Sequence, residues 1–152
     1  MNGQKIVSIA EKEIGIEESP KNSNKTKYGK WFGWDGVAWC GMFVSWCYSQ
    51  AGFPLGNIGF LKGFAGCQTA FAHFTKTKEI TTKPVAGDIV LFDWNNDKRY
   101  DHTGIFVKWL DDNRFEAIEG NTAVGNDSNG GKVMLRIRNK KFAIFVHPKV
   151  LD

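Results

Sequence analysis

Three cysteines and three histidines are the side chains of this sequence able to serve as nucleophile and base near neutral pH. Cys40 follows an irregular stretch containing Gly33, Asp35 and Gly36, and it opens the apolar run CGMFVSWCYSQ. A thiol at a helix start meets free N–H groups and the positive end of the helix dipole, which favour the thiolate. The plain alternative is a small buried apolar residue. That alternative is the expectation for Cys47, two turns down the same side of the helix, and for Cys67. Among the histidines, His102 stands in DHTGIF, where an irregular loop runs into a strand, a place that holds a base on a rigid element. His73, in a short helix, and His147, just before Pro148, read as surface or capping residues. A Cys–His pair needs a third group to orient the imidazole. Glu119 and Asn121, in IEGN, lie two apart on an extended segment, so they should share one face. A hairpin turn near Asp112 would bring one or both beside His102, with His102 level with Asn121.

Two further groups of residues could bind rather than react. Asp93, Asn95 and Asp97 alternate as D-x-N-x-D, and Asp101 follows at the ninth position. This is the opening ligand spacing of an EF-hand loop, in which Arg99, at the seventh position, would give its backbone carbonyl to calcium. Lys98 stands where glycine is usual and Gly104 where a bidentate Glu belongs, so a polar turn is the competing reading. Trp31, Trp34 and Trp39 precede Cys40 and are candidates to line a substrate groove, with core packing as the alternative.

The elements that must carry these residues can be read from periodicity. Ile6, Ile9, Ala10 and Ile14 mark an amphipathic helix that Gly15 would stop. A polar loop from Glu17 to Lys30 follows. A buried helix is expected over Cys40–Gln50, ended by Gly52 and Pro54, and a shorter one over Cys67–Phe74. The second half is strand-like at residues 88–94, 103–110, 114–119, 133–138 and 142–147, with short polar turns that imply antiparallel pairing. Helices first and strands second is an α+β arrangement, and 152 residues suit a single domain.

Composition narrows the function classes. A net charge of +4 favours an anionic partner such as a cell wall, while the lack of any run of five like charges argues against a nucleic-acid arm. An odd cysteine count excludes a complete disulfide framework and points to synthesis in a reducing compartment. The N-terminal segment lacks the apolar stretch of a secretory signal, and no segment reaches transmembrane length. The expectation is a protein made in the cytoplasm, without membrane insertion.

Taken together and in order, WCGMFVSW around Cys40, GDIVLFDW, DHTGIF and IEGN resemble the CHAP family, the cysteine, histidine-dependent amidohydrolases/peptidases of phage endolysins and bacterial autolysins. The resemblance runs from EIGIEE almost to the C-terminus. It implies a papain-like α+β fold and cleavage of an amide bond in peptidoglycan, either as an N-acetylmuramoyl-L-alanine amidase or as a stem or cross-bridge endopeptidase. It implies Cys40 as nucleophile, His102 as base, Glu119 as orienting acid and Asn121 as an assisting polar group, with no cofactor required for the chemistry. The enzyme would act on the wall after release, and a wall-binding domain, as many relatives have, would lie outside this chain. The rival readings are a non-catalytic wall-binding module and another papain-like cysteine peptidase.

Overall fold

A computed structural model describes residues 1–152. Helix α1 (Asn2–Glu11) turns Gly3, Ile6, Val7 and Ala10 inward, and the chain leaves it through a turn ending at Gly15. The stretch expected to be loop as far as Lys30 contains a helix, α2 (Lys27–Phe32). Its polar composition hides two local signals. Thr26 caps the first turn by accepting from the Gly29 N–H at 3.1 Å, and Tyr28 and Phe32 supply a buried face.

Helix α3 (Cys40–Gln50) is buried on nearly every side, as its uniformly apolar sequence requires. Helix α4 (Cys67–Lys76) buries Cys67, Ala70 and Phe74. The strands are β1 (Ile80–Thr81), β2 (Ile89–Phe92), β3 (His102–Trp109), β4 (Arg114–Thr122), β5 (Lys132–Asn139) and β6 (Ala143–Val146). They form one antiparallel sheet in the order β1-β6-β2-β3-β4-β5. The fold is therefore α+β, helices then an antiparallel sheet, as the order of elements along the sequence indicates.

Strand alternation divides the sheet between two apolar clusters. Ile89, Leu91, Ile105, Ile118 and Val146 join the helices, where Ile6, Tyr28, Trp39, Phe43 and Tyr48 complete the main core. Val90, Phe92, Phe106, Phe115, Ala117 and Phe145 form a smaller, aromatic-rich cluster. The β3–β4 hairpin closes through Asp111, whose Oδ1 accepts from the N–H groups of Asn113 (2.9 Å) and Arg114 (2.7 Å). That turn fixes the register Ile105↔Ile118, which carries the open ends of both strands to the same place.

Candidate active site

Cys40 is the first residue of α3 and is 5% exposed. The helix ladder begins with the Phe43 N–H bonding to the Trp39 carbonyl at 2.9 Å. The N–H groups ahead of it are the free donors of a helix start. The Cys40 thiol is held well below the usual thiol range. The largest cause is a hydrogen bond from the Cys67 thiol. The nearby His102 and the Gly41 N–H add to it, and together they outweigh burial. Cys47 has no such partners; it is fully buried and burial pushes its thiol up.

His102 opens β3 and is fully buried. Its ring stacks near Phe92 (5.8 Å between centroids) and Trp94 (6.1 Å), the first directly across the β2–β3 pairing. Its Nε2 lies 2.9 Å from Glu119 Oε1. Its Nδ1 is buried without a hydrogen-bond partner. With one nitrogen committed to Glu119, Nδ1 is the nitrogen left for the thiol. Burial alone would lower the imidazole pKa, but the neighbouring Cys40 and the hydrogen-bonded Glu119 carboxylate raise it to about 9. The two shifts run in the directions that a thiolate–imidazolium pair requires.

Glu119, on β4, is likewise fully buried. A charge there requires partners. Beyond His102 it accepts from Arg138 Nε at 2.8 Å and Arg138 Nη2 at 2.6 Å, a bidentate clamp. Burial would raise the Glu119 carboxyl, yet Arg138 first and His102 second bring it below the usual range. Arg138 continues to Asp127 Oδ1 at 2.9 Å, and its guanidinium lies 4.8 Å from the Trp94 ring centroid. Gly104 is part of this arrangement for a steric reason. A Cβ there would stand 2.7 Å from Glu119 Cγ, so only glycine leaves room for the acid between β3 and β4.

Asn121 is not disposed as strand alternation suggests. Its φ is 59°, and the β4–β5 register shifts between Glu119 and Thr122. The left-handed residue breaks the two-residue alternation, so Glu119 and Asn121 do not share a face. The Asn121 amide instead accepts from the Gly131 N–H at 3.0 Å and donates to Asn129 Oδ1 at 3.2 Å, tying down the connection to β5.

The tryptophans separate. Trp39 is fully buried, stacks on Tyr28 at 5.5 Å and donates to Glu18 Oε2 at 3.4 Å, so it is core and lines no groove. Its neighbour Cys40 starts a buried helix, and that draws Trp39 inward. Trp34 is 47% exposed and tilts against Phe60, and Trp31 is half-buried with Lys62 over its ring. His73 packs edge-on against Phe74, and His147 bridges Asp88 and Asp152 at 2.6 and 2.7 Å; neither joins Cys40.

In the loop between β2 and β3, carboxylate oxygens of Asp93, Asp97 and Asp101 come within 4.8 Å of one another. Asp93 accepts from the N–H groups of Asp97 (3.2 Å) and Lys98 (2.7 Å), and Asp97 accepts from the Arg99 N–H at 2.9 Å. In its satisfied orientation the Asn95 amide donates to Asp93 and Asp97. Of the five residues with calcium-loop spacing, Asp93, Asn95, Asp97, Arg99 and Asp101, the three carboxylates converge, with the Asn95 side chain against two of them.

Sequence reasoning missed Arg138 and the proximity of Cys67. For Arg138 a signal existed: Arg136 and Arg138 alternate on one face of an edge strand next to the strand of Glu119. For Cys67 there was none, because a loop-borne approach across 27 positions leaves no periodic trace.

Residues 31–121 match the CHAP domain family. No curated protein matches the chain by sequence. Among solved structures, the fold is similar to the crystal structure of a wild-type endolysin, LysIME-EF1, with a TM-score of 0.58 and 13% identity. The similarity covers 96% of this chain and 64% of that one, so the chain spans under two thirds of the endolysin's length. At this identity the likeness concerns the fold.

Proposed function

Since the chain belongs to the CHAP family, we propose that it is a peptidoglycan hydrolase of the endolysin kind that cleaves an amide bond through Cys40, His102 and Glu119. One observation carries the reading. A buried imidazole is fixed by Glu119 through Nε2, while its other nitrogen is unpartnered and its pKa is raised by a thiol at a helix start.

The mechanism follows from the charges. The Cys40 thiolate attacks the amide carbonyl, and the developing oxyanion is stabilised by free N–H groups at the start of α3. His102, already protonated, donates to the leaving amine. Neutral His102 then takes a proton from water, which attacks the thioester and frees Cys40. Glu119 keeps the ring oriented and stabilises its positive charge, and Arg138 fixes Glu119. The net charge of +4 suits an anionic wall, and exposed Trp34, six residues ahead of Cys40 in the chain, offers an aromatic face for a sugar or peptide.

The test is loss of turbidity of purified cell walls by the wild type against Cys40→Ala, with circular dichroism as a check on folding. Lysis should vanish while the fold remains. Lysis near the wild-type rate would remove Cys40 as nucleophile and leave a wall-binding module as the better reading. Mass spectrometry of the released fragments distinguishes amidase from endopeptidase.

A further inference from the structure

Cys67 is absent from the mechanism above, yet its Sγ lies 3.9 Å from Cys40 Sγ, and both residues are buried. Each opens a helix, Cys40 that of α3 and Cys67 that of α4. The two backbones are clamped side by side. Ser45 Oγ donates to the Gly41 carbonyl (2.8 Å), lies 3.3 Å from the Phe64 carbonyl oxygen and accepts from the Phe64 N–H (3.1 Å). A Cβ at Gly41 would meet the carbonyl oxygens of Phe64 and Ala65 at 2.8 Å, so the chain segments are already in contact. A disulfide requires sulfurs ~2.05 Å apart, so the gap must close by about 1.9 Å, within reach of side-chain rotation on two adjacent backbones.

We propose that Cys40 and Cys67 are an oxidisable dithiol: a hydroperoxide oxidises Cys40, and Cys67 closes on it as a disulfide that masks the nucleophile and can be reduced again. In the first step the Cys40 thiolate attacks the peroxide. The O–O bond breaks, Cys40 becomes a sulfenic acid, and the leaving alkoxide or hydroxide takes the proton held on His102. In the second step the Cys67 sulfur attacks the Cys40 sulfur. The S–O bond breaks, the S–S bond forms, and the departing hydroxide takes the Cys67 proton as water. Two thiols and one peroxide give one disulfide, one alcohol (or water) and one water. Two electrons pass from sulfur to the peroxide. The division of labour suits the pair, because Cys40 is the more acidic thiol while its contact with Cys40 and burial push Cys67 up. Cys47, two turns along α3, has no thiol partner.

The bond itself is independent of any catalytic role; only its effect on lysis rests on Cys40 being the nucleophile. The protein is treated with hydrogen peroxide, free thiols are blocked, and it is digested without reductant. Expected are an intact mass lower by about 2 Da, a linked peptide joining Cys40 to Cys67, and blocked Cys47. Lysis should be lost and should return with dithiothreitol. Cys67→Ser, or Cys67→Ala if the first unfolds, should lose that protection. Its Cys40 should pass to sulfinic acid, about 32 Da heavier, and lysis should not recover. The proposal is overturned if the wild type yields no linked peptide, or if its Cys40 reaches sulfinic acid as fast as in the Cys67 variants. A linked peptide formed without loss of lysis would instead remove Cys40 as nucleophile and leave the dithiol standing.

Discussion

At the scale of residues, a chain of charge runs from buried Cys40, His102, Glu119 and Arg138 out to half-exposed Asp127, and each member sets the state of the next. His102, with its pKa near 9, holds its proton through neutral pH, and Cys40 stays a thiolate far below the ~8.5 of a free thiol. The sign of the pH dependence follows. Activity should be flat across neutrality. It should fall on the alkaline side as pH passes about 9, where His102 loses the proton owed to the leaving amine. On the acid side it should fall only when Cys40 itself is protonated. Iodoacetamide labelling gives the same answer without substrate: Cys40 should react rapidly below pH 8, where Cys47 and Cys67 are slow. Equal rates at the three cysteines would contradict the ion pair. Arg138 makes the complementary prediction. Arg138→Met leaves Glu119 with His102 alone in a buried site and should cost about 3–5 kcal/mol in urea unfolding, the range for breaking a buried pair from one side. Arg138→Lys keeps the charge but loses the bidentate fork, so stability should recover in part and turnover less.

At the scale of elements, the legible parts of the site were those announced by a junction. Cys40 lies where a glycine-containing loop becomes an apolar run, and His102 where a loop becomes a strand, and the structure has α3 and β3 begin at these two residues. Glu119 was legible through hairpin geometry, because the turn at Asp111 sets the register. Asn121 was not, because a single left-handed φ undoes the alternation on which any reading of faces depends. Helix α2 was hidden for a similar reason: its six residues are too few for a periodic pattern, and the Thr26 cap carries the signal. Gly104 shows how a motif glycine becomes physical. Gly104→Ala drives a methyl against Glu119 Cγ, and overpacking of this kind costs about 1–3 kcal/mol. The larger effect should be on turnover, because the displaced group is the one that orients His102. A variant that unfolds more easily yet lyses walls at the wild-type rate would show that Glu119 tolerates movement.

At the scale of the whole molecule, the site belongs to neither half of the chain. The helical part supplies Cys40 and Cys67, and the sheet supplies His102, Glu119 and Arg138 from β3, β4 and β5. The acidity of Cys40 is therefore a tertiary property. Its helix start alone would lower the thiol a little, but the groups that act on it most come from α4 and β3. The main core runs through α1, α2, α3, α4 and the sheet as one cluster, which predicts that the halves unfold together. In a urea titration the fast alkylation of Cys40 and the far-UV circular dichroism should then be lost at one midpoint. Fast labelling should give way to the rate of an ordinary thiol at the same urea concentration at which the helices melt. If Cys40 became slow at a lower concentration, with helical signal intact, the sheet would be detaching from a helical layer that survives on its own. If it stayed fast after the transition, the low thiol pKa would come from local chain structure and not from His102.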